Sequence, residues 1–263
     1  MVSVKINDLT GASSVTDSMQ FEVDIGGSVS QKVTATQIKT YVGGRTSVAA
    51  SGSTNGLGIL VAATSGTGTL IHTATSDQKD SVVLYAFNNH TSSVDLTLQI
   101  GGTASGNLRV ITLPAKNGPY PIYHGIPLTG STVVGAIASV ANVVVIDALI
   151  NRVPNDSGFP SGSTNGLGIL VSATTGEGTL IHTVPTSSNH AVTLYATNNS
   201  SSPVTLTLQV GGTSAQHLRI ATIPAKTGSH PVFVNGILTG ETTIRAITSE
   251  TNTVVIDAIV DVL

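Results

Sequence analysis

The stretch VTLTLQV, residues 204–210, alternates apolar and polar side chains without a break, so that Val204, Leu206, Leu208 and Val210 share one face. A period of two belongs to a β-strand, and a strand with one wet face belongs to an antiparallel sheet. Turn formers bracket the stretch, NNSSS at residues 198–202 before it and GG at 211–212 after it. The same grammar recurs along the chain: ILVAAT (59–64), TLIHTAT (69–75), VVLYAFN (82–88), LRVITLPA (108–115) and VVVIDALI (143–150), each closed off by Gly, Asn, Ser or Pro. Short strands at such spacing, with no 3.6-residue period, predict an all-β protein of antiparallel sandwiches, jelly-roll-like in kind.

Residues 51–153 align with 161–263 at a constant offset of 110, without a gap, and 56 of the 103 pairs are identical. The unit is the size of a domain with its own core rather than of a solenoid repeat. The chain therefore divides into a head (1–46), a first β-sandwich (51–153), a connector PNDSGFP (154–160) and a second β-sandwich (161–263). The two copies also expose their inner faces. Val144, Ile146, Ala148 and Ile150 become Val254, Ile256, Ala258 and Val260, whereas Val143 becomes Thr253 across the strand. Likewise Val82, Leu84 and Ala86 stay apolar, while Val83 and Phe87 become Thr193 and Thr197 and so are expected to face outward.

One decapeptide, SGSTNGLGIL, is copied letter for letter at 51–60 and 161–170. Asn-Gly favours positive φ at both positions, so Asn55-Gly56 and Asn165-Gly166 are expected to make matching turns at the two bead entrances. The second Gly allows a close approach of other groups to the backbone, with contact between subunits a candidate reason.

Charged residues are 10% of the chain, against roughly 25% in ordinary soluble domains, so its polar surface is built of hydroxyls and amides. A net charge of −3 supplies no basic field for nucleic acid. The chain has no Cys, which removes disulfides and thiolate metal sites. No apolar run reaches the roughly 20 residues of a membrane span, and Lys5 and Asp8 interrupt the place of a signal sequence. The expectation is a protein made in a cytosol without its own export signal and without membrane insertion.

In the head, FEVDI (21–25) and QKVTA (31–35) flank a GGS turn and predict a hairpin; Thr34 with Gln37 fits a capping box, and Gly43 a helix stop, predicting a helix over 35–42. The head has few large apolar residues and is at the size where independent folding needs help. Its text, INDLTGASSVTDSMQFEVDIGGSVSQKVTATQIKTYV, resembles an N-terminal segment of structural proteins of tailed bacteriophages, through Asp8, Leu9, Asp17, Phe21, Val23, Lys32, Val33, Thr34, Ile38 and Tyr41. Each bead is similar to a phage virion β-sandwich module, along LIHTVPTSSNHAVTLYATNNSSSPVTLTLQVGG (180–212) and the late GILTGETTIRAITSETNTVVIDAIV (236–260). The resemblance implies a virion-surface protein assembled in the host cytoplasm. On that resemblance the chain is expected to be a homotrimeric head fibre or decoration protein, attached to the particle by Leu9, Phe21, Val23, Ile38 and Tyr41. A tail fibre or receptor-binding adhesin touching host surface glycans is the alternative, and a pair of carbohydrate-binding modules the rival from another class. The capsid is favoured over the tail, because the chain carries no long shaft or distinctive tip.

For catalysis, the acids shared by both beads reduce to Asp147 and Asp257, and no nucleophile motif accompanies them. The expectation is no enzyme, no cofactor and no metal site, since the seven His lack close-spaced pairs. The copied His72 and His182 read as strand histidines bonded to a neighbour, Arg109 and Arg219 as cover for an outer face, and Lys116 and Lys226 as turn residues. Tyr85 and Tyr195, with Asp147 and Asp257, fall on outer faces. They are the candidate surface contacts, for a sugar or a neighbouring subunit, with a shielding ring and a solvated acid as the plain alternative.

Overall fold

The computed structural model describes residues 20–24, 30–34, 46–76, 78–153 and 158–263. The chain divides into two compact units, Met1–Arg45 and Thr46–Leu263. In the first, β1 (Gln20–Asp24) and β2 (Ser30–Thr34) pair antiparallel, with Phe21 opposite Val33 and Val23 opposite Gln31. This is the expected hairpin. The predicted helix over 35–42, and with it Ile38, Tyr41 and also Leu9, lies outside the described residues.

In the second unit β3 (Thr46–Val48) leads into the first bead, whose strands are β4 (Ile59–Leu60), β5 (Thr69–Thr73), β6 (Lys79–Asn88), β7 (Val94–Ile100), β8 (Leu108–Leu113), β9 (Tyr120–Leu128), β10 (Val133–Ala138) and β11 (Val144–Val153). The second bead repeats them as β12 (Ile169–Leu170), β13 (Thr179–Thr183), β14 (Asn189–Asn198), β15 (Val204–Val210), β16 (Leu218–Ile223), β17 (His230–Thr239), β18 (Thr243–Thr248) and β19 (Val254–Val262). In the first bead one sheet runs β5-β10-β7-β8 and the other β4-β11-β6-β9, with β3 also paired to β11. The second bead has β13-β18-β15-β16 and β12-β19-β14-β17. Eight strands interleaved in this order over two antiparallel sheets make a jelly roll, and the protein is two of them in tandem.

Each bead closes on its own core. Val82, Leu84, Ala86, Val144, Ile146 and Ile150 are buried in the first, and Val192, Leu194, Ala196, Val254, Ile256 and Val260 in the second, so the inner faces read from the two copies hold. Burying a side chain of this size contributes about 1.5–3 kcal/mol, and the alternation of period two is what lets a strand put every second residue there. Thr193 and Thr197 depart from expectation: they lie on the outer side of β14 yet are buried, at 9% and 1% exposure. Thr193 bonds to Asn235, with 3.1 Å between Oγ1 and Oδ1, and Thr197 stands between two residues that meet the other bead, described below.

The copied decapeptide has a task for nearly every letter. Ser51 Oγ and Ser161 Oγ accept from Thr73 and Thr183 N–H at 2.7 Å, tying the entrance to β5 and β13. Ser53 and Ser163 hydroxyls donate to the carbonyls of Leu57 and Leu167 at 2.6 and 2.5 Å. Asn55 and Gly56 have φ of 55° and 75°, Asn165 and Gly166 of 54° and 79°, and the Leu57 and Leu167 N–H groups return to Thr54 and Thr164 carbonyls. The expected matching turns are present. The left-handed conformation is costly for most side chains and cheap for Asn and Gly, so these letters resist change where Val and Ile exchange freely.

Behind this entrance lie the copied histidines, each bonded to a neighbour as expected. His72 Nδ1 accepts from Ser51 N–H, which leaves Nε2–H to donate to Asp80 Oδ2 at 3.0 Å. His182 Nδ1 likewise accepts from Ser161 N–H, and its Nε2–H donates to His190 Nδ1 at 2.8 Å. One histidine therefore meets a carboxylate and its twin a second imidazole.

Candidate functional site, the joint between the beads

Arg109 stands near the start of β8, an edge strand of its sheet, on the same face as buried Ile111 and Leu113, and Asp257 projects from β19 on the outer side of the second bead. The guanidinium donates from Nε to Asp257 Oδ2 at 2.8 Å and from Nη2 to Oδ1 at 2.6 Å, a two-point fork. Both side chains are fully buried. Nη1 is held from behind by the carbonyls of Gly106 and Leu108, each at 3.0 Å. Burial opposes the charged guanidinium, but the charge and hydrogen bonds of Asp257 outweigh it and lift its pKa above the ordinary value.

Gly168, the eighth letter of the copied decapeptide, makes room for this fork. A Cβ there would collide with Arg109 Nη2 and stand 2.6 Å from Val255 Cγ1. Leu167 packs over Gly101 of the first bead, and Gly166 abuts the Pro127 carbonyl. The turn at the entrance of the second bead is thus also its contact with the first.

Around the fork, Asn199 reads the open edge of β8 with both ends of its amide, accepting from Val110 N–H at 2.8 Å and donating to the Leu108 carbonyl at 2.9 Å. Thr112 N–H donates to the Lys226 carbonyl at 2.8 Å, and Lys226 Nζ to Asp95 at 2.7 Å. Lys226 holds a turn, at φ 44°, as expected; its reach to Asp95 was not foreseen. His124 and Tyr195 stack with ring centroids 4.8 Å apart and planes 5° from parallel. Tyr195 and Thr197 share the outer side of β14, and Asn199 follows its end, so Thr197 lies between two residues that meet the first bead and is buried. Tyr123, fully buried near the fork, has no hydrogen-bond partner for its hydroxyl. Burial, reinforced by the Asp257 charge and opposed by Arg109, raises its pKa well above the ordinary value, so the phenol stays protonated.

The structure therefore separates the four candidate surface residues into two fates. Tyr85 and Asp147 are exposed on adjacent strands of the first bead, paired in register across β6 and β11. Tyr195 and Asp257 are covered by the first bead, and the solvated acid expected at 257 is a buried partner of Arg109. Arg109 itself was expected on an open outer face. It lies instead on the inner face of edge strand β8, opposite Leu98 and in line with Ile111 and Leu113, and the second bead closes that edge over it. Nothing within one repeat could reveal this, because the contact joins residues 148 apart from different copies.

Among the described residues no group of three or more His, Asp or Glu is placed to hold a metal ion, and no helix is long and apolar enough to cross a membrane. An open cleft of about 590 Å³ lies along the joint between Gly68, Gln99, Gly102 and Thr132 of the first bead and Asn165 and Leu167 of the second. It is lined mainly by small and neutral side chains, among them Thr67, Thr103, Ser131 and Thr132.

No protein-family model and no curated protein matches the chain. Solved structures with a likeness to it include the crystal structure of the STIV MCP, a viral major capsid protein, at 10% identity and a TM-score of 0.24, covering 80% of this chain and 92% of that one. At that score the likeness carries no residue-level correspondence.

Proposed function

We propose that this chain is a non-enzymatic structural protein of a tailed-phage particle, oligomeric and attached through residues 1–46, displaying its two jelly rolls at the virion surface, on the capsid rather than the tail. The observation that carries this reading is where the shared polar chemistry goes. The one acid common to both beads and the copied arginine are used, in Arg109 and Asp257, to weld bead to bead instead of lining an open cavity. A chain that commits its shared acid and its copied arginine to a joint is built to be a component. The jelly roll is at home in viral coats, and the phage-like text of the head supports attachment at that end. A homotrimer follows from a head too small to close a core by itself. Imaging of purified particles carrying a tag on this chain tests the reading: density of 26.6 kDa subunits over the capsid is expected, and a label absent from particles overturns it.

Lectins also use jelly rolls, and Tyr85 beside Asp147 is an exposed ring next to a carboxylate, which favours glycan binding as the second reading. Because the equivalent Tyr195 is stacked under His124, such binding is confined to one bead and lacks tandem avidity. A glycan array that shows signal for the full chain and none for Tyr85→Ala supports it; no signal above background removes it.

A further inference from the structure

The joint is heterologous: the Arg109 side of one bead meets the Asp257 side of the next. Each bead carries both sides, so one of each is left over within the chain. On the second bead the leftover is the Arg109-like side, at Arg219; on the first bead it is the Asp257-like side, at Asp147.

Both leftovers keep the fork at the centre of the joint, while Thr205 and Val234 stand where the joint has Asp95 and His124. Arg219 Nη1 is held by the carbonyls of Gln216 and Leu218 at 2.9 and 3.0 Å, as Arg109 Nη1 is held by those of Gly106 and Leu108. Its guanidinium is oriented in advance, and among the described residues no carboxylate answers Nε and Nη2. Asp147 is exposed with no cation paired to it among the described residues, and it lies beside Gly58, the copy of the glycine that admits Arg109. Asn89, copy of the edge-reading Asn199, is exposed as well.

The apolar surroundings agree. Leu57, Leu60, Tyr85 and Leu149 are 67%, 47%, 39% and 49% exposed, whereas their copies Leu167, Leu170, Tyr195 and Ile259 are half-buried by the joint or beside it. Ile220, Val234 and Ile237, on the Arg219 side, are 67%, 62% and 66% exposed, where the first bead has Val110, His124 and Pro127 under cover. Among the described residues, seven of the twelve large exposed apolar side chains thus stand where the joint covers their twins wholly or in part. Phe233 replaces Tyr123 and removes a buried hydroxyl that the joint leaves without a partner.

We infer that a second copy of this chain docks its Asp147 side onto the Arg219 side of the first, repeating between chains the joint that Arg109 and Asp257 make within one. The occupant is fixed by complementarity: a pre-oriented fork, a lone carboxylate, a glycine gap and matching apolar rims are all present, on opposite ends of a duplicated pair. Repetition of a head-to-tail contact closes a ring or extends a filament according to its rotation. This deepens the oligomeric part of the proposed function by naming its surfaces, and it does not depend on the virion.

Sedimentation of the full-length chain over a concentration series tests it. Arg219→Asp and Asp147→Arg should each weaken association at least about 100-fold, since each leaves like charges facing in a closed contact. The double exchange, with both substitutions in one chain, should recover affinity to within about tenfold. Both residues are exposed, and unfolding curves for each variant verify that the beads remain intact. A chain monomeric up to about 100 µM, or association indifferent to either single substitution, or no recovery in the double exchange, overturns the inference. Loss of the tag from particles would overturn the virion reading and leave this result untouched.

Discussion

Asp147 and Asp257 occupy one position in two copies of one fold, and one lies open to solvent while the other is sealed against Arg109. The same strand, with the same text VVIDA, gives a surface acid and a buried ion pair because only the second has a bead in front of it. Removing one partner of such a buried pair leaves an uncompensated charge, whereas replacing both with apolar groups of similar volume is often neutral. Asp257→Ala is therefore expected to cost about 3–5 kcal/mol, a fall in Tm on the order of 10 °C for a unit of this size. Arg109→Met with Asp257→Leu should recover most of that loss. Thermal unfolding of the three chains decides it; equal loss in the single and double variants would mean that packing, not unpaired charge, sets the cost.

The twin turns give a second comparison. Gly56 and Gly166 have nearly the same φ, but a Cβ on Gly56 meets nothing within 4 Å, and one on Gly166 runs into the Pro127 carbonyl. Gly56→Ala should cost about 1–2 kcal/mol, the strain of an L side chain in the left-handed region. Gly166→Ala should cost that and a further 1–3 kcal/mol or so for the clash. Urea titration of both at dilution reads the difference, and equal costs would sink the idea that the second turn is also a contact.

Acid should act through buried groups of both beads; burial holds His124, at the joint, below its ordinary value. His182 is held down to about 4 by burial and then by the nearby charge of His190. Its folded pKa is below its unfolded one, so the unfolded chain takes up the proton first. Stability is full above about 6.5 and is lost as the pH falls from there toward about 4. For Asp95, burial works to raise the carboxyl, but the hydrogen bond and charge of Lys226 together with the Thr112 hydroxyl lower it. Its contribution is present above the usual carboxylate pKa and disappears only in stronger acid. His190→Asp, which restores the first bead's His72–Asp80 arrangement, should shrink the loss between pH 6.5 and 4, as followed by unfolding curves across that range.

Tyr195 and Tyr85 make a fourth pair. Tyr195 stacks on His124 while Tyr85 is 39% exposed. Tyr195→Ala should destabilise the chain by about 2–4 kcal/mol, and Tyr85→Ala by under about 1 kcal/mol under dilute conditions. Chemical denaturation of each variant measures it. A reversed order would show that the ring stack adds little to the joint.

Much of this was legible before any coordinates. Alternation in residues 204–210 and the drift of Val83 and Phe87 to Thr separate inner from outer faces, since a strand's two sides answer to different solvents. The Asn-Gly turns were legible because positive φ admits few residues. The fate of a sheet edge was not: Arg109 and Arg219 sit in the same local text, LR, on the edge strands β8 and β16, yet one is sealed and the other open. Local sequence encodes which way a side chain points, and only the order of the beads encodes what arrives in front of it. The outward Thr197 was misread for the same reason. One signal was available, that the identical letters include the small residues Gly58 and Gly168 rather than core residues alone, which marks a backbone that something must approach.

The connector PNDSGFP is seven residues long. A tether that short holds the second jelly roll near the first at an effective concentration in the millimolar range, so the joint between them forms even if its intrinsic affinity is modest. The equivalent contact between separate chains has no tether and answers to the amount of protein present. One set of side chains thus serves as a permanent seam within the molecule and as a dose-dependent seam between molecules, and the length of a loop, rather than any change in chemistry, sets the threshold between them.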